Sequence, residues 1–165
     1  MSTLDVGIIN KENRLRYALL ECLTNMKNIK LVVRPYQEQD EEQVIYLWHR
    51  CGLVVPWNDP KRDIWLKLQV QPELFLVGLI ESQIVATVMA GYEGHRAWLN
   101  YLAVAPDYQR QGMGKCMVEQ ATTKLKAMNC PKINLQIRTS NTGAIEFYKR
   151  LGFKIDDVVS MGKRL

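Results

Sequence analysis

The sequence predicts a mixed α/β domain in which a sheet, antiparallel in its hairpin part, carries helices on its faces. Three observations predict it. Apolar runs at 74–80 and 84–92 flank Glu81-Ser82-Gln83, a hairpin signature whose strands must be antiparallel. After residue 96 the pattern alternates strand, helix, strand, helix, strand, as a layered α/β sheet does. The chain has 165 residues, which suits a single core. A chain of this length buries close to ~70% of its unfolded surface and needs no metal or disulfide staple.

Taken in order, residues 1–30 read as an added segment. Leu15, Ala18, Leu19, Cys22, Leu23 and Met26 follow a 3-and-4 spacing that predicts one apolar helix stripe, packed on the body or on a second copy of the chain. The domain proper spans 31–165. Leu31–Arg34 reads as a strand ended by Pro35. Asp40 with Gln43 reads as a capping box opening a helix to about Cys51, with Val44, Leu47, Trp48 and Cys51 facing inward. A loop from Gly52 leads to Pro60, which opens a second helix to about Val70. Arg96–Val104 is a strand ended by Pro106, and Gly114, Met117, Val118, Ala121, Leu125 and Met128 mark a helix. Strand Ile133–Ile137, helix Thr142–Leu151 with Gly152 as its cap, and strand Phe153–Met161 complete the pattern. The strands flanking the helix after Gly112 can be parallel only through a right-handed crossover.

Composition narrows the function. Hydrophobic residues make up 47% and charged residues 24%, which argues against disorder. Lys plus Arg is 22 and Asp plus Glu 17, so the net charge is +5. That excess suits an anionic small molecule as well as it suits nucleic acid. The basic residues are spread along the chain and no reader motif appears, which argues against nucleic acid. No 18-residue apolar run is present, and Asp5, Lys11, Glu12, Arg14 and Arg16 interrupt the first twenty residues. A membrane span and a signal peptide are therefore not expected. Cys22, Cys51, Cys116 and Cys130 form no Cys-x-x-Cys pair, and with only His49 and His95 no metal-ligand spacing exists. The expected compartment is the reducing cytoplasm.

The stretch that carries chemistry runs from Leu102 to Lys115. A strand enters a turn, and the turn enters a helix beginning at glycines with basic neighbours. A helix N-terminus presents unpaired N–H groups and about half a positive charge, which makes it an anion site. Gly112 and Gly114 bring no side chain between a phosphate and the backbone, while Arg110 and Lys115 add charge. A Walker loop would need Gly at 109 and Ser or Thr at 116, where Gln109 and Cys116 stand; a dinucleotide fingerprint would need Gly at 117, where Met117 stands. Gly-x-Gly by itself also fits a structural tight turn.

Gln109-Arg110-Gln111-Gly112-Met113-Gly114 matches the Gln/Arg-x-x-Gly-x-Gly/Ala signature of the GNAT N-acetyltransferase superfamily. Asn141, Ala144, Phe147-Tyr148 and Leu151-Gly152-Phe153 resemble its second signature, and Val33-Arg34-Pro35 with Asp40 resembles its first strand and helix start. The resemblance covers about 31–165. Trp57-Asn58-Asp59-Pro60 and the 91–96 segment resemble a YpeA-type bacterial branch.

The resemblance implies a GNAT-type mixed, mostly antiparallel sheet with a splayed parallel strand pair and helices on both faces, and acetyl-CoA as co-substrate with no metal. It implies that the backbone of Leu102, Ala103 and Val104 pairs with the pantetheine amides. Gln109, Arg110, Gln111, Gly112, Met113, Gly114 and Lys115 would cradle the pyrophosphate, and Asn141 would touch the cofactor. Tyr148 would contact it too and protonate the departing thiolate. A phenol near pKa ~10 can serve a thiolate whose conjugate acid lies near ~8.5 if held close. Otherwise Tyr148 is a core residue beside Phe147.

An amine attacks only when neutral, and a lysine near ~10.4 lacks about 3.4 units at pH 7. Ribosomal-protein N-terminal acetyltransferases of this superfamily carry a Glu where Gln136 stands here, and an amide is no base. Glu93 and His95 are the remaining base candidates, Glu93 preferred, unless they are ordinary surface groups. The 53–60 loop and the 92–96 segment are expected to frame the acceptor. Trp57 is either a wall or a packing anchor, and Asp59 either attracts a cation or caps a helix. Cys116 and Cys130 have no nearby His and read as structural. The expected function is acetyl transfer to a primary amine in a ternary complex, with an acyl-CoA-binding module as the alternative.

Overall fold

Strand pairing organises the protein. The computed structural model describes Cys22–Leu23 and residues 30–163. Among these, six strands follow the order β1 (Cys22–Leu23), β2 (Lys30–Pro35), β3 (Phe75–Ile80), β4 (Gln83–Tyr92), β5 (Ala97–Val104) and β6 (Ile133–Asn134). Neighbours are antiparallel except β5 and β6, which run parallel through Ala97↔Ile133 and Trp98↔Asn134. The parallel pairing stops at Trp98, the second of the eight residues of β5, so most of β5 runs without that partner. That is the expected mixed, mostly antiparallel sheet with a splayed parallel pair.

β4 lies at the centre. Ile84 to Ala90 is buried without interruption, the mark of a strand covered on both faces. Helix α1 (Glu41–Arg50) packs on β4 and β5 through Val44, Leu47 and Trp48. Helix α3 (Met113–Ala127) packs across β2 to β5 through Met113, Cys116, Met117, Val118, Ala121 and Leu125. Side chains alternate between the faces of a strand, and β4 shows which helix lies where. Thr87 accepts a bond from Trp48 of α1, whereas Ala86 shares its face with Gly78 and Met117 of α3. The helices therefore cover opposite faces. A Cβ at Gly78 would stand 2.9 Å from the Met117 sulfur and 3.2 Å from Ala86 Cβ, so close approach requires glycine there.

Three local expectations are corrected. Cys22 and Leu23 form a strand on β2, not a helix; the remainder of the predicted stripe lies outside the described residues. Pairing with the β2 edge satisfies their backbone, a tertiary contact that apolar spacing does not register. The box before α1 closes three residues early, since the Gln37 N–H donates to Asp40 Oδ2 at 2.8 Å. Gln43 turns away and accepts from the Ile84 N–H at 2.9 Å. Asp40 also takes a two-pronged bond from Arg34, at 2.6 and 2.8 Å. Helix α2 (Pro60–Leu68) begins as expected, with Asp59 Oδ1 accepting from the N–H groups of Lys61 and Arg62.

The chain forms two compact units that meet between Leu135 and Gln136. The second contains helix α4 (Thr142–Arg150), capped by Asn141 Oδ1 on the Ala144 N–H at 3.1 Å and followed by Gly152 at φ +88°. The third correction lies here. Phe153–Met161 forms no strand, and of the strand expected at 133–137 only Ile133–Asn134 is paired. An isolated apolar segment gains nothing from extension without a ladder partner. Ile155, Val158, Val159 and Met161 are exposed, and Asp156-Asp157 interrupts their alternation.

Candidate active site

The stretch after β5 runs from strand through turn into helix, as expected. Past Val104 a 3-10 turn (Pro106–Tyr108) leads to Arg110 at φ +62° and Gly112 at φ +85°, and α3 starts at Met113. Two left-handed residues set a helix start ahead of them as a concave rim of N–H groups. Among the described residues no side chain caps this helix. The N–H groups of α3 up to Lys115 thus have no intrahelical acceptor, the arrangement that suits an anion. The surrounding side chains brace the loop. Gln109 Nε2 donates to the Val104 carbonyl at 2.9 Å, Gln111 Nε2 donates to the Asp107 carbonyl at 3.0 Å, and Arg50 pairs with Asp107 at 2.5 Å. Met113 is buried and offers only its backbone, while Lys115 reaches along the helix towards Glu119 at 3.8 Å. An uncapped helix start behind Gly112 fits a diphosphate.

The edge of β5 continues this cradle. Ala103 is in register with Thr87, and the Ala105 N–H donates to the Val85 carbonyl at 2.8 Å. Backbone groups alternate sides along a strand, so Leu102 and Val104 face away from β4, towards the side that β6 has left. The Val104 carbonyl is already taken by Cys51 Sγ at 3.3 Å and by Gln109. Leu102 and the Val104 N–H are what this edge offers an extended amide chain, and Ala103 serves the ladder instead.

Sequence reasoning missed the group beside this edge. The β4–β5 register shifts between Thr87↔Ala103 and Met89↔Asn100, which makes Tyr101 and Leu102 a bulge opposite Val88. Tyr101 adopts φ +51°. A tyrosine seldom tolerates that region, and it persists only where several contacts impose it. Its ring stacks on Trp48 with centroids 4.1 Å apart. Its hydroxyl donates to Asp63 Oδ2 at 2.5 Å and accepts from Asn58 Nδ2 at 3.3 Å. Burial first, then the Asp63 carboxylate, pushes the phenol well above the ordinary tyrosine range. One signal was available: Thr87 is the single polar side chain in the apolar run 84–90.

Glu93 and His95 lie in the β4–β5 turn and both are exposed. Glu93 Oε1 accepts from the Arg96 N–H at 2.6 Å, which closes the turn. At about 3.3 Å per residue, Arg96 lies roughly 16 Å along β5 from Tyr101. These two are not brought to the bulge. In the second unit, Tyr148 is buried edge-to-face against Phe147 and Phe153, at 5.0 and 5.3 Å, and burial pushes its phenol up to about 12. Gln136 Nε2 donates to Ser160 Oγ.

Comparison with known proteins places this geometry in a family. The acetyltransferase (GNAT) family profile matches residues 41–153. An acetyltransferase of Yersinia pestis (strain Pestoides F) is 44% identical over 133 residues, covering 81% of this chain and 94% of that protein. Among solved structures, the ribosomal-protein-S18-alanine N-acetyltransferase of Escherichia coli superposes with a TM-score of 0.64 at 25% identity, over 75% of this chain and 77% of that one. The PaiA N-acetyltransferase of Thermoplasma acidophilum, solved in complex with coenzyme A, has a TM-score of 0.65 at 18% identity, over 79% and 94%. The profile spans most of the domain, its relatives are acetyltransferases, and an uncapped helix start stands where the signature glycines fall: the chain belongs to the acetyltransferase (GNAT) family and is an acyltransferase.

Proposed function

We propose that the protein moves the acetyl group of acetyl-CoA directly to a primary amine while both are bound. The uncapped start of α3 behind left-handed Arg110 and Gly112, continuous with the open edge of β5, carries this reading. The N–H groups from Arg110 to Lys115 receive the diphosphate, and Leu102 and Val104 pair with the pantetheine arm. Asn141 spends its Oδ1 on the α4 cap, so its amide NH₂ is the group left for the carrier.

In the transfer the amine nitrogen bonds to the thioester carbon, the C–S bond breaks and sulfur leaves as thiolate. The ammonium form of the acceptor gives up one proton before attack. Glu93, preferred, or His95 takes it through a chain of waters before the amine reaches the thioester, since both stand roughly 16 Å along β5 from the bulge. Tyr148 is the proposed acid, a role taken from the family signature. With its phenol at about 12 it stays protonated at neutral pH. Delivery to a thiolate of conjugate-acid pKa ~8.5 runs uphill by about 3.5 units, so the proton leaving the attacking nitrogen must replace it in the same step. The cytoplasm, home of acetyl-CoA, is the proposed compartment, and a second copy of the chain is the proposed partner of the 1–30 segment.

Release of free thiol from acetyl-CoA across a panel of alkylamines, arylamines and peptides tests this function. Amine-dependent release with no acetyl group on the enzyme is the expected result. Tight CoA binding with no release for any amine returns the protein to the binding-module alternative.

A further inference from the structure

Resting on that reading, we propose that Trp48 and Thr87 are positioning residues for the transfer: a buried chain from the Trp48 indole through the Thr87 hydroxyl to the Tyr101 carbonyl aims the Leu102 N–H at the thioester carbonyl oxygen. Trp48 Nε1–H donates to Thr87 Oγ1 at 3.0 Å, and Thr87 Oγ1 donates to the Tyr101 carbonyl at 2.9 Å. The direction of the chain is fixed by chemistry. An indole N–H can only donate, so the threonine oxygen receives it and must send its own proton on to Tyr101. Trp48 and Thr87 are both fully buried. Among the described residues, Thr87 and Asp40 are the two buried polar or charged ones. Asp40 is occupied by Arg34 and Gln37. A valine would fill the space of Thr87 on a central strand and need no partner, so the hydroxyl has another use.

That use follows from the peptide between Tyr101 and Leu102. In a planar trans peptide the carbonyl and the next N–H point in opposite directions. Holding the Tyr101 oxygen towards Thr87 on β4 turns the Leu102 N–H outward, to the side where β5 has no strand partner beyond Trp98. Two donors in series also polarise that peptide and strengthen its N–H. The left-handed Tyr101, clamped between Trp48 and Asp63, keeps the geometry from relaxing. A carrier followed from the 110–115 loop back along Val104 brings its thioester end to this bulge. As the amine adds, the carbonyl π pair moves onto oxygen, and a fixed donor there stabilises the growing charge.

The test needs no acceptor. Infrared spectra of acetyl-CoA labelled with ¹³C at the carbonyl, bound to the full chain, report the bond to that oxygen. Wild type is expected to lower the carbonyl stretch below its value in water. Thr87→Val is expected to lose at least half of that shift while the affinity for acetyl-free CoA changes less than twofold, and Thr87→Ser to restore it. An undiminished shift in Thr87→Val overturns the proposal. If that variant does not fold, Trp48→Phe keeps the ring stack and removes the indole donor; it too must reduce the shift, and an unchanged one overturns the proposal. Failure of wild type to bind CoA at all instead overturns the acetyl-CoA reading beneath it.

Discussion

Replacing Gly112 by alanine perturbs the anion loop at its hinge. Gly112 stands at φ +85°, ψ −6° at the start of α3. An L-residue held left-handed costs about 1–2 kcal/mol. If alanine lets the empty loop relax to negative φ, the ligand must drive it back, and that whole cost appears as lost affinity. At about 1.4 kcal/mol per decade this is roughly a 5- to 30-fold rise in the CoA Kd. Gly112→Val adds a branched side chain, which tolerates the left-handed region worse still, and is expected to exceed ~100-fold, the tenfold steps being about 1.4 kcal/mol each. Gly94 supplies the control. It stands at φ +96° with nothing within 4 Å of a built Cβ, in the β4–β5 turn. Gly94→Ala carries the same backbone strain and should cost about 1–2 kcal/mol of stability while leaving CoA affinity within twofold. Calorimetric titration of wild type and the three folded variants with CoA reads the affinities, and denaturant unfolding reads the stability of Gly94→Ala. An affinity for Gly112→Ala within twofold of wild type refutes the loop geometry as the source of binding.

Other outcomes follow from the same structure. Burial alone would raise the Asp40 carboxyl, but Arg34 and the Gln37 N–H hold it below its usual range. Its contribution is therefore present above pH ~4 and lost as pH falls through the folded value. Asp40→Asn should cost about 3 kcal/mol at pH 7 and flatten the melting profile between pH 5 and 3; an unchanged profile contradicts this. Gly78→Ala should lower stability by about 1–3 kcal/mol in denaturant unfolding because its Cβ would meet Met117, and a neutral result would show that α3 yields freely. Tyr148→Phe should lower kcat by about 10² with the acetyl-CoA Kd within threefold, and an unaltered kcat removes it as the acid. Asp63→Asn should let the Tyr101 phenol ionise at lower pH in an ultraviolet difference titration against Tyr101→Phe, whereas coincident curves deny the pair.

What sequence made legible was local. The hairpin at 75–92, the start of α2 at Asp59-Pro60 and the glycine-bearing start of α3 each depend on residues a few places apart, and each forms where expected. The site beside the loop depends on contacts 38, 43, 39 and 14 residues apart: Tyr101 with Asp63, Tyr101 with Asn58, Trp48 with Thr87, and Thr87 with Tyr101. No residue preference marks a tyrosine for φ +51°; the bulge and its clamps impose it. Cys22–Leu23 failed for the same reason, because an available edge overrode periodicity. Phe153–Met161 failed in reverse. Strand-forming residues were present, but within their own unit no ladder met them. Glu93 has the chemistry of a base, but its carboxylate closes a turn, a use that residue type does not reveal.

A crystal of the protein grown with CoA tests the central claim most directly. The account predicts diphosphate oxygens within hydrogen-bond distance of N–H groups between Arg110 and Lys115, with the pantetheine arm running along Leu102 and Val104. A diphosphate seated anywhere else, with the start of α3 still facing solvent, would contradict it.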